Sequence, residues 1–265
     1  MRTTVARIAV VCVSIVAVNL IFAGQGLAAI DTASIAGTWL FDEGKGDVAK
    51  DSSKSGNDGK LVGAPKWVDG KLGKALDFNG TSDYVEVADS DSLDITDSIT
   101  IVAWIYKRSD AIHGGTIVGK WKQAGDTWSY VLYGLGDTGG GFRLMWTDKP
   151  VNQTNLEGPY QLPNNEWIHY AATYDGSTMR VFANAEEIVN IAANKEINVS
   201  VNPVWIGNDG YQQHFNGVID EVAIFNVALN ESDIKNIMTQ GLASATAVSS
   251  VDKAASTWGN MKADH

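Results

Sequence analysis

The stretch Phe215–Ile237, FNGVIDEVAIFNVALNESDIKNI, limits what this chain can fold into more than any other. Its first half, Phe215–Phe225, is an apolar strand pattern interrupted by a carboxylate, and a helix follows at once. Asn230 caps the free amides of that helix, Glu231 and Asp233 favour its positive end, and Gly241 ends it. Strict alternation puts Asp220 on the side of Val218, Val222 and Ile224, facing a core, with Glu221 on the opposite side. A carboxylate in such a place has to be paired, hydrogen-bonded or bound to a metal, because a bare buried charge is heavily penalised.

Strand signals continue upstream as far as Ser34, separated by clusters of Gly, Asn, Asp and Ser, the spacing of an all-β sandwich or barrel. The predicted strands are Ser34–Phe41, Val85–Val87, Ile99–Tyr106, Thr116–Trp121, Trp128–Tyr133, Phe142–Trp146, Trp167–Tyr174, Met179–Ala183, Val204–Ile206 and Phe215–Phe225. Asp175-Gly176 between two apolar runs marks a hairpin. The polar stretches Lys107–Asp126 and Thr147–Asn165 read as long loops. Trp39, Trp104 and Trp167 lie in patterned strands and read as core.

Residues 1–28 read as a secretory signal: Arg2 and Arg7, an apolar run Ile8–Phe22, then small residues with cleavage after Ala28 or Ala29. An uncleaved N-terminal anchor is the alternative. The single cysteine, Cys12, lies inside that segment, so the remainder has neither a disulfide framework nor a thiol nucleophile. Residues 30–242 suffice for one β domain, and 243–265 form an Ala/Ser-rich tail. The expected location is secreted, cell-surface or periplasmic in a bacterium. A formal charge of −11, more negative still without Arg2 and Arg7, argues against nucleic acid and against direct binding to anionic membranes. It suits neutral glycans, proteins or calcium.

Five segments carry a family resemblance: GTWLFDEGKGDVAKDSSKSGNDGKLVG at 37–63, GKALDFNGTSDYVEV at 73–87, SITIVAWIYK at 98–107, NNEWIHYAATYDGSTMRVFANAEEI at 164–188 and FNGVIDEVAIFNVALNESDI at 215–234. Together they resemble the laminin-G-like, concanavalin A-like jelly rolls of secreted bacterial proteins. The resemblance implies a two-sheet antiparallel β-sandwich with a short C-terminal helix, used for sugar binding or adhesion. Asn184-Ala185 departs from the family's Asn-Gly turn, where a β-carbon at positive φ costs about 1 kcal/mol, so a different turn is expected. Asn79 and Ser82 replace acids of the family pattern.

The resemblance also implies a structural calcium. A jelly roll sets its first and last strands side by side, which would bring Asp220 to the oxygen-rich loop Asp51–Gly59. The expected ligands are Asp51, Asn57 and Asp220, with Asp42 or Asp58 as helpers; amide binding by Asp220 above a plain turn is the alternative. The acid-rich run Ala88–Ser98 lacks the glycine and terminal glutamate of a calcium loop and reads as solvated. A sugar site needs exposed aromatics beside amides and carboxylates. The candidates are Trp121, Trp128 and Trp146, with Asn208, Asp209, Tyr211, Gln213 and His214 as the densest cluster. No E-x-D-x-x-E strand or recognisable His–Tyr spacing occurs, so no catalytic residues are assigned. The leading expectation is a non-catalytic module for a polysaccharide or other glycan. A structural component binding an extracellular protein is the second, and a hydrolase or lyase of the same fold the third.

Overall fold

The structure, a computed structural model, describes residues 30–108, 115–121, 128–134, 140–147, 152–158, 160–210 and 213–246. The signal segment, Tyr211 and most of the tail lie outside the described residues. In chain order the strands are β1 (Ile35–Trp39), β2 (Val48–Ala49), β3 (Gly59–Val62), β4 (Lys66–Asp69), β5 (Lys74–Asn79), β6 (Tyr84–Val87), β7 (Ile99–Lys107) and β8 (Gly115–Gly119). They continue with β9 (Tyr130–Gly134), β10 (Gly140–Trp146), β11 (Asn152–Glu157), β12 (Trp167–Tyr174), β13 (Thr178–Ala183), β14 (Glu186–Ala192), β15 (Val204–Ile206) and β16 (Asn216–Phe225). Helices α1 (Glu231–Gln240) and α2 (Leu242–Ala245) follow.

Two antiparallel sheets form the expected sandwich. The first runs β14-β13-β12-β7-β16-β5-β4, with β1 also on β16; the second runs β11-β10-β9-β8-β15-β6-β3-β2. First and last strands are neighbours, Trp39 facing Val222. Inward residues of both sheets, among them Trp39, Phe78, Ile101, Phe142, Tyr170 and Ile224, make one apolar core. A second cluster lies outside the first sheet, where Ile234 and Ile237 of α1 pack on Val102, Ala171, Ala223 and Phe225. The capping box forms as the sequence predicts: Asn230 Oδ1 accepts from the Asp233 amide at 3.0 Å, and the Asp233 carboxylate accepts from the Asn230 amide. Leu242, the last residue of the expected domain, and Ala245, in the expected tail, are buried in this cluster.

The structure corrects several expectations. Strand β11 lies inside the predicted loop Thr147–Asn165, pairing with β10 from Gly141↔Glu157 to Trp146↔Asn152. Leu156 is its one apolar side chain, buried in the core, and the other five are polar, as an edge strand permits, so no alternation marked it. Asn184 and Ala185 keep the tight turn, with φ of 51° and 64°, and tolerate the strain.

Asp220 does not face the core. A β-bulge interrupts β16 between Asp220 and Ala223, with Glu221 at φ 50°. The extra residue resets the alternation. Ile219, Val222 and Ile224 then point inward, while Asp220 and Glu221 both lie on the outer side. The two acids therefore do not face opposite sides, as strict alternation required.

Candidate ligand-binding face

The outer face of the second sheet gathers the aromatic and polar side chains best suited to a ligand. In β9, Tyr130 and Leu132 belong to the core, so Val131 and Tyr133 point outward. In β10, Phe142, Leu144 and Trp146 point in, leaving Arg143 and Met145 outside. Register places Asn155 beside Arg143 and Glu157 beside Gly141. Trp121 and Trp128 flank β8 and β9, and their rings stack with centroids 4.6 Å apart and planes at 29°. The Arg143 guanidinium lies 5.3 Å from the Trp121 ring and 4.9 Å from the Tyr133 ring, in cation–π range of both. The Tyr133 hydroxyl donates to Glu157 Oε1 at 3.0 Å, and Arg143 Nη2 stands 3.8 Å from the same oxygen. Gly141 makes this possible, since a β-carbon there would lie 2.7 Å from the Tyr133 hydroxyl.

Burial pushes the Tyr133 phenol well above its ordinary value although Arg143 opposes the shift, so it stays a neutral donor. Arg143 Nε, Trp128 Nε1 and Gln153 Oε1 have no hydrogen-bond partner among the described residues. Trp121 and Tyr133 are buried, Trp128 and Arg143 half-buried, and Asn155 and Glu157 exposed. The result is a buried aromatic cluster that leaves Trp128 as its partly exposed ring, with a guanidinium, a carboxylate and an amide beside it; an exposed ring next to such groups suits a sugar's apolar face and its hydroxyls.

The other candidates distribute differently. Trp146 is not a loop residue: it is 2 % exposed at the end of β10, its Nε1 donates to Thr154 Oγ1 at 2.9 Å, and it packs on Tyr174 in the core. Asn208 and Asp209 are buried supports, Asn208 Oδ1 accepting from the Asp209 amide at 2.7 Å and Asp209 Oδ1 from the Gln213 amide at 3.0 Å. Gln213 and His214 are half-buried. Burial lowers the His214 pKa while Asp209 and Asp83 pull the other way. Trp104 and Trp167, expected in the core, lie instead on the outer face of the first sheet, opposite His169 and Tyr106 respectively.

Asp51 and Asn57 come together, but Asp220 does not join them. Asp51 Oδ1 accepts from the amides of Thr38 (2.9 Å) and Ser53 (2.8 Å), and its Oδ2 from the Asn57 amide and the Ser53 hydroxyl, both at 2.8 Å. Asn57 Nδ2 donates to the Ala36 carbonyl at 2.8 Å, and its Oδ1 accepts from Ser90 Oγ at 2.9 Å. Both side chains are thus satisfied by groups of the loop itself, of β1 and of Ser90. Asp220 Oδ2 instead accepts from the Leu72 amide at 2.9 Å, in the β4–β5 turn, while Oδ1 has no partner among the described residues. Glu221 Oε2 accepts from the Leu242 amide at 2.5 Å. Among the described residues no three His, Cys, Asp or Glu side chains are grouped as a metal site. The expected calcium trio therefore does not fit this donor geometry.

The acid-rich run Ala88–Ser98 has a role that sequence reasoning missed. Lys120 is fully buried, with Nζ 2.6 Å from Asp89 Oδ1 and also bonded to Asp94. A lysine from the end of β8 thus supplies the cation that those acids need. The only signal was a lysine enclosed by Gly119 and Trp121 in a strand pattern.

Two antiparallel sheets packed in this order define a concanavalin A-like jelly-roll β-sandwich. The chain belongs to the concanavalin A-like lectin/glucanases superfamily, whose Laminin_G_3 model matches residues 79–235. Among solved structures it is similar to domain 4 of AbnA, a GH43 extracellular arabinanase from Geobacillus stearothermophilus, in complex with arabinotriose. The TM-score is 0.62 at 19 % identity, over 78 % of this chain and 98 % of that one. The binding domain of Paraclostridial Mosquitocidal Protein 1 gives a TM-score of 0.60 at 17 % identity, over 78 % and 52 %. Mouse (Mus musculus) pappalysin-1 is 22 % identical over 184 residues, 64 % of this chain but only 11 % of that protein's length. At these identities the likeness establishes the fold.

Proposed function

We propose that the chain is an exported, non-catalytic binding module that takes a saccharide on the outer face of the second sheet. The observation that carries this reading is the stacked Trp121–Trp128 pair, with Arg143 lying over both Trp121 and Tyr133 beside exposed Glu157 and Asn155. Trp121 and Tyr133 pack with Val131 and Met145 in a cluster of their own, apart from the inter-sheet core and the helix-covered cluster, with Trp128 at its edge. A similar fold solved with arabinotriose is consistent with it. The carboxylates that look most like a catalytic pair, Asp220 and Glu221, are each bound to a backbone amide beneath other elements, which favours a structural role over acid–base work.

The test is binding of the purified protein to a broad polysaccharide and glycan array, followed by titration of each hit with Trp128→Ala and Glu157→Gln. Binding to one glycan class that weakens by about ten-fold in either variant supports the reading. A blank array with folded protein, or hits indifferent to both variants, moves the assignment to an extracellular protein partner.

A further inference from the structure

The first sheet has an outer surface of its own, and the helices cover only part of it. Helices α1 and α2 sit on Val102, Ala171, Ala223 and Phe225. Two residues along the strands, register aligns His169, Trp104 and Asp220 across β12, β7 and β16, all of them buried. The next row is Trp167, Tyr106 and Val218, continuing through Asp77 of β5 to Lys66 of β4. There the cover ends. Trp167 and Tyr106 are half-buried, with ring centroids 5.6 Å apart and planes at 57°, and neither ring belongs to the three apolar clusters.

Cations lie along the β4–β5 side of the same face. Arg108, just past β7, holds Asp77 through Nη2 and Oδ2 at 2.6 Å, and Lys66 is directly opposite Asp77. Lys71, in the β4–β5 turn, places Nζ 4.6 Å from the Trp104 ring. All three cations are exposed, while Asp77 is half-buried between two of them. On a chain of formal charge −11 this is a local reversal of sign.

We propose that this surface is a second saccharide site, separate from that on the second sheet, and that it selects acidic sugars bearing carboxylate or sulfate. Trp167 and Tyr106 offer ring faces for a pyranose, as aromatic platforms do. Arg108 and Lys66 meet the acid group, and the ion pair to Asp77 fixes the guanidinium so that its remaining N–H groups stay available. Nucleic acid would meet the same cations, but a long phosphate backbone also meets the acidic remainder of the molecule. A short saccharide experiences only charges within a screening length of about 8 Å.

The experiment is isothermal titration of the purified protein with tri-galacturonate, with a heparin-derived tetrasaccharide, and with maltotriose as a neutral control. The expected result is binding of at least one acidic probe, weakened by salt, and no comparable binding of maltotriose. Trp167→Ala should weaken it by about ten-fold, as should the double variant Lys66→Gln/Arg108→Gln, which leaves the ring platform intact. Trp128→Ala should leave this affinity unchanged, so that the two sites fail or succeed independently. Absence of binding to both acidic probes by folded wild type overturns the proposal. So does binding that survives the double charge variant, or that is lost with Trp128→Ala and kept with Trp167→Ala.

Discussion

Replacing Asp220 by Asn tests how the fold accommodates a buried carboxylate. Asp220 is 0 % exposed, has one oxygen on the Leu72 amide and none of its bonds shared with a cation among the described residues. Burial, with the nearby Glu221 charge acting in the same direction, raises its pKa from 3.8 to about 7 against the pull of the turn amides. The folded protein therefore holds a proton between these values that the unfolded chain has released. Stability from this group is complete below the unfolded pKa and falls as pH rises toward about 7. The interval is worth up to about 4 kcal/mol. Asn keeps the acceptor for Leu72 and cannot ionise, so relative to wild type the variant should gain up to that amount between about pH 4 and about pH 8. Urea unfolding followed by tryptophan fluorescence across this range, in calcium and in chelator, reads the difference. A variant that loses several kcal/mol at the alkaline end, alongside a chelator-sensitive wild type, would refute the argument and put a cation on Oδ1.

Lys120→Ala should cost about 3 kcal/mol, because Asp89 and Asp94 would lose their buried counter-charge; their side chains are 35 % and 26 % exposed, which limits the loss. A urea midpoint indistinguishable from wild type would show that the triad is not part of what holds the Ala88–Ser98 run. Gly176→Ala, at φ 84° with no neighbour nearer than the Asp97 carbonyl at 3.5 Å, isolates backbone strain and should cost about 1 kcal/mol. Ala185→Gly relieves the same strain at φ 64° but exposes a methyl-sized gap in the helix-covered cluster, so thermal melting should move little. A loss as large as that of Gly176→Ala would mean that packing outweighs φ at this turn.

Most of the sandwich was legible because its strands alternate against a continuous core. Ile99–Tyr106, Trp167–Tyr174 and the Asn230 cap read true for that reason. Edge strands β11 and β14 were not legible, since exposed or polar residues on both faces leave no period. The tryptophans show a different limit. Alternation says that Trp39, Trp104, Trp146 and Trp167 lie in strands, but not which side is the interior, and an outer face rich in aromatics inverts the usual guess. Asp220 is set apart from Asp51 and Asn57 through register. One bulge residue moved Asp220 to the other face, and a bulge of ordinary composition leaves no mark in a sequence.

That bulge also explains where the first sheet remains open. Strand β16 pairs with β5 through Asn216–Ile219 and with β1 through Val222–Phe225, so it changes partner at Asp220-Glu221. The inserted residue lets both carboxylates leave the same side of the sheet. Asp220 ties down the β4–β5 turn and Glu221 the start of α2. Gly70 and Gly241 allow this close approach, since β-carbons there would lie 2.5 Å from Asp220 Oδ2 and 3.3 Å from Glu221 Oε2. The Glu221 tether holds the helical corner over the β1 half of the strand, and the Asp220 tether holds the β4–β5 turn beside it. Past the bulge, on the β5 half, nothing comparable covers the sheet among the described residues, and Trp167 and Tyr106 lie on that half. The carboxylate pair thus works as a clamp, and the clamp's position sets the boundary of the aromatic surface beside it.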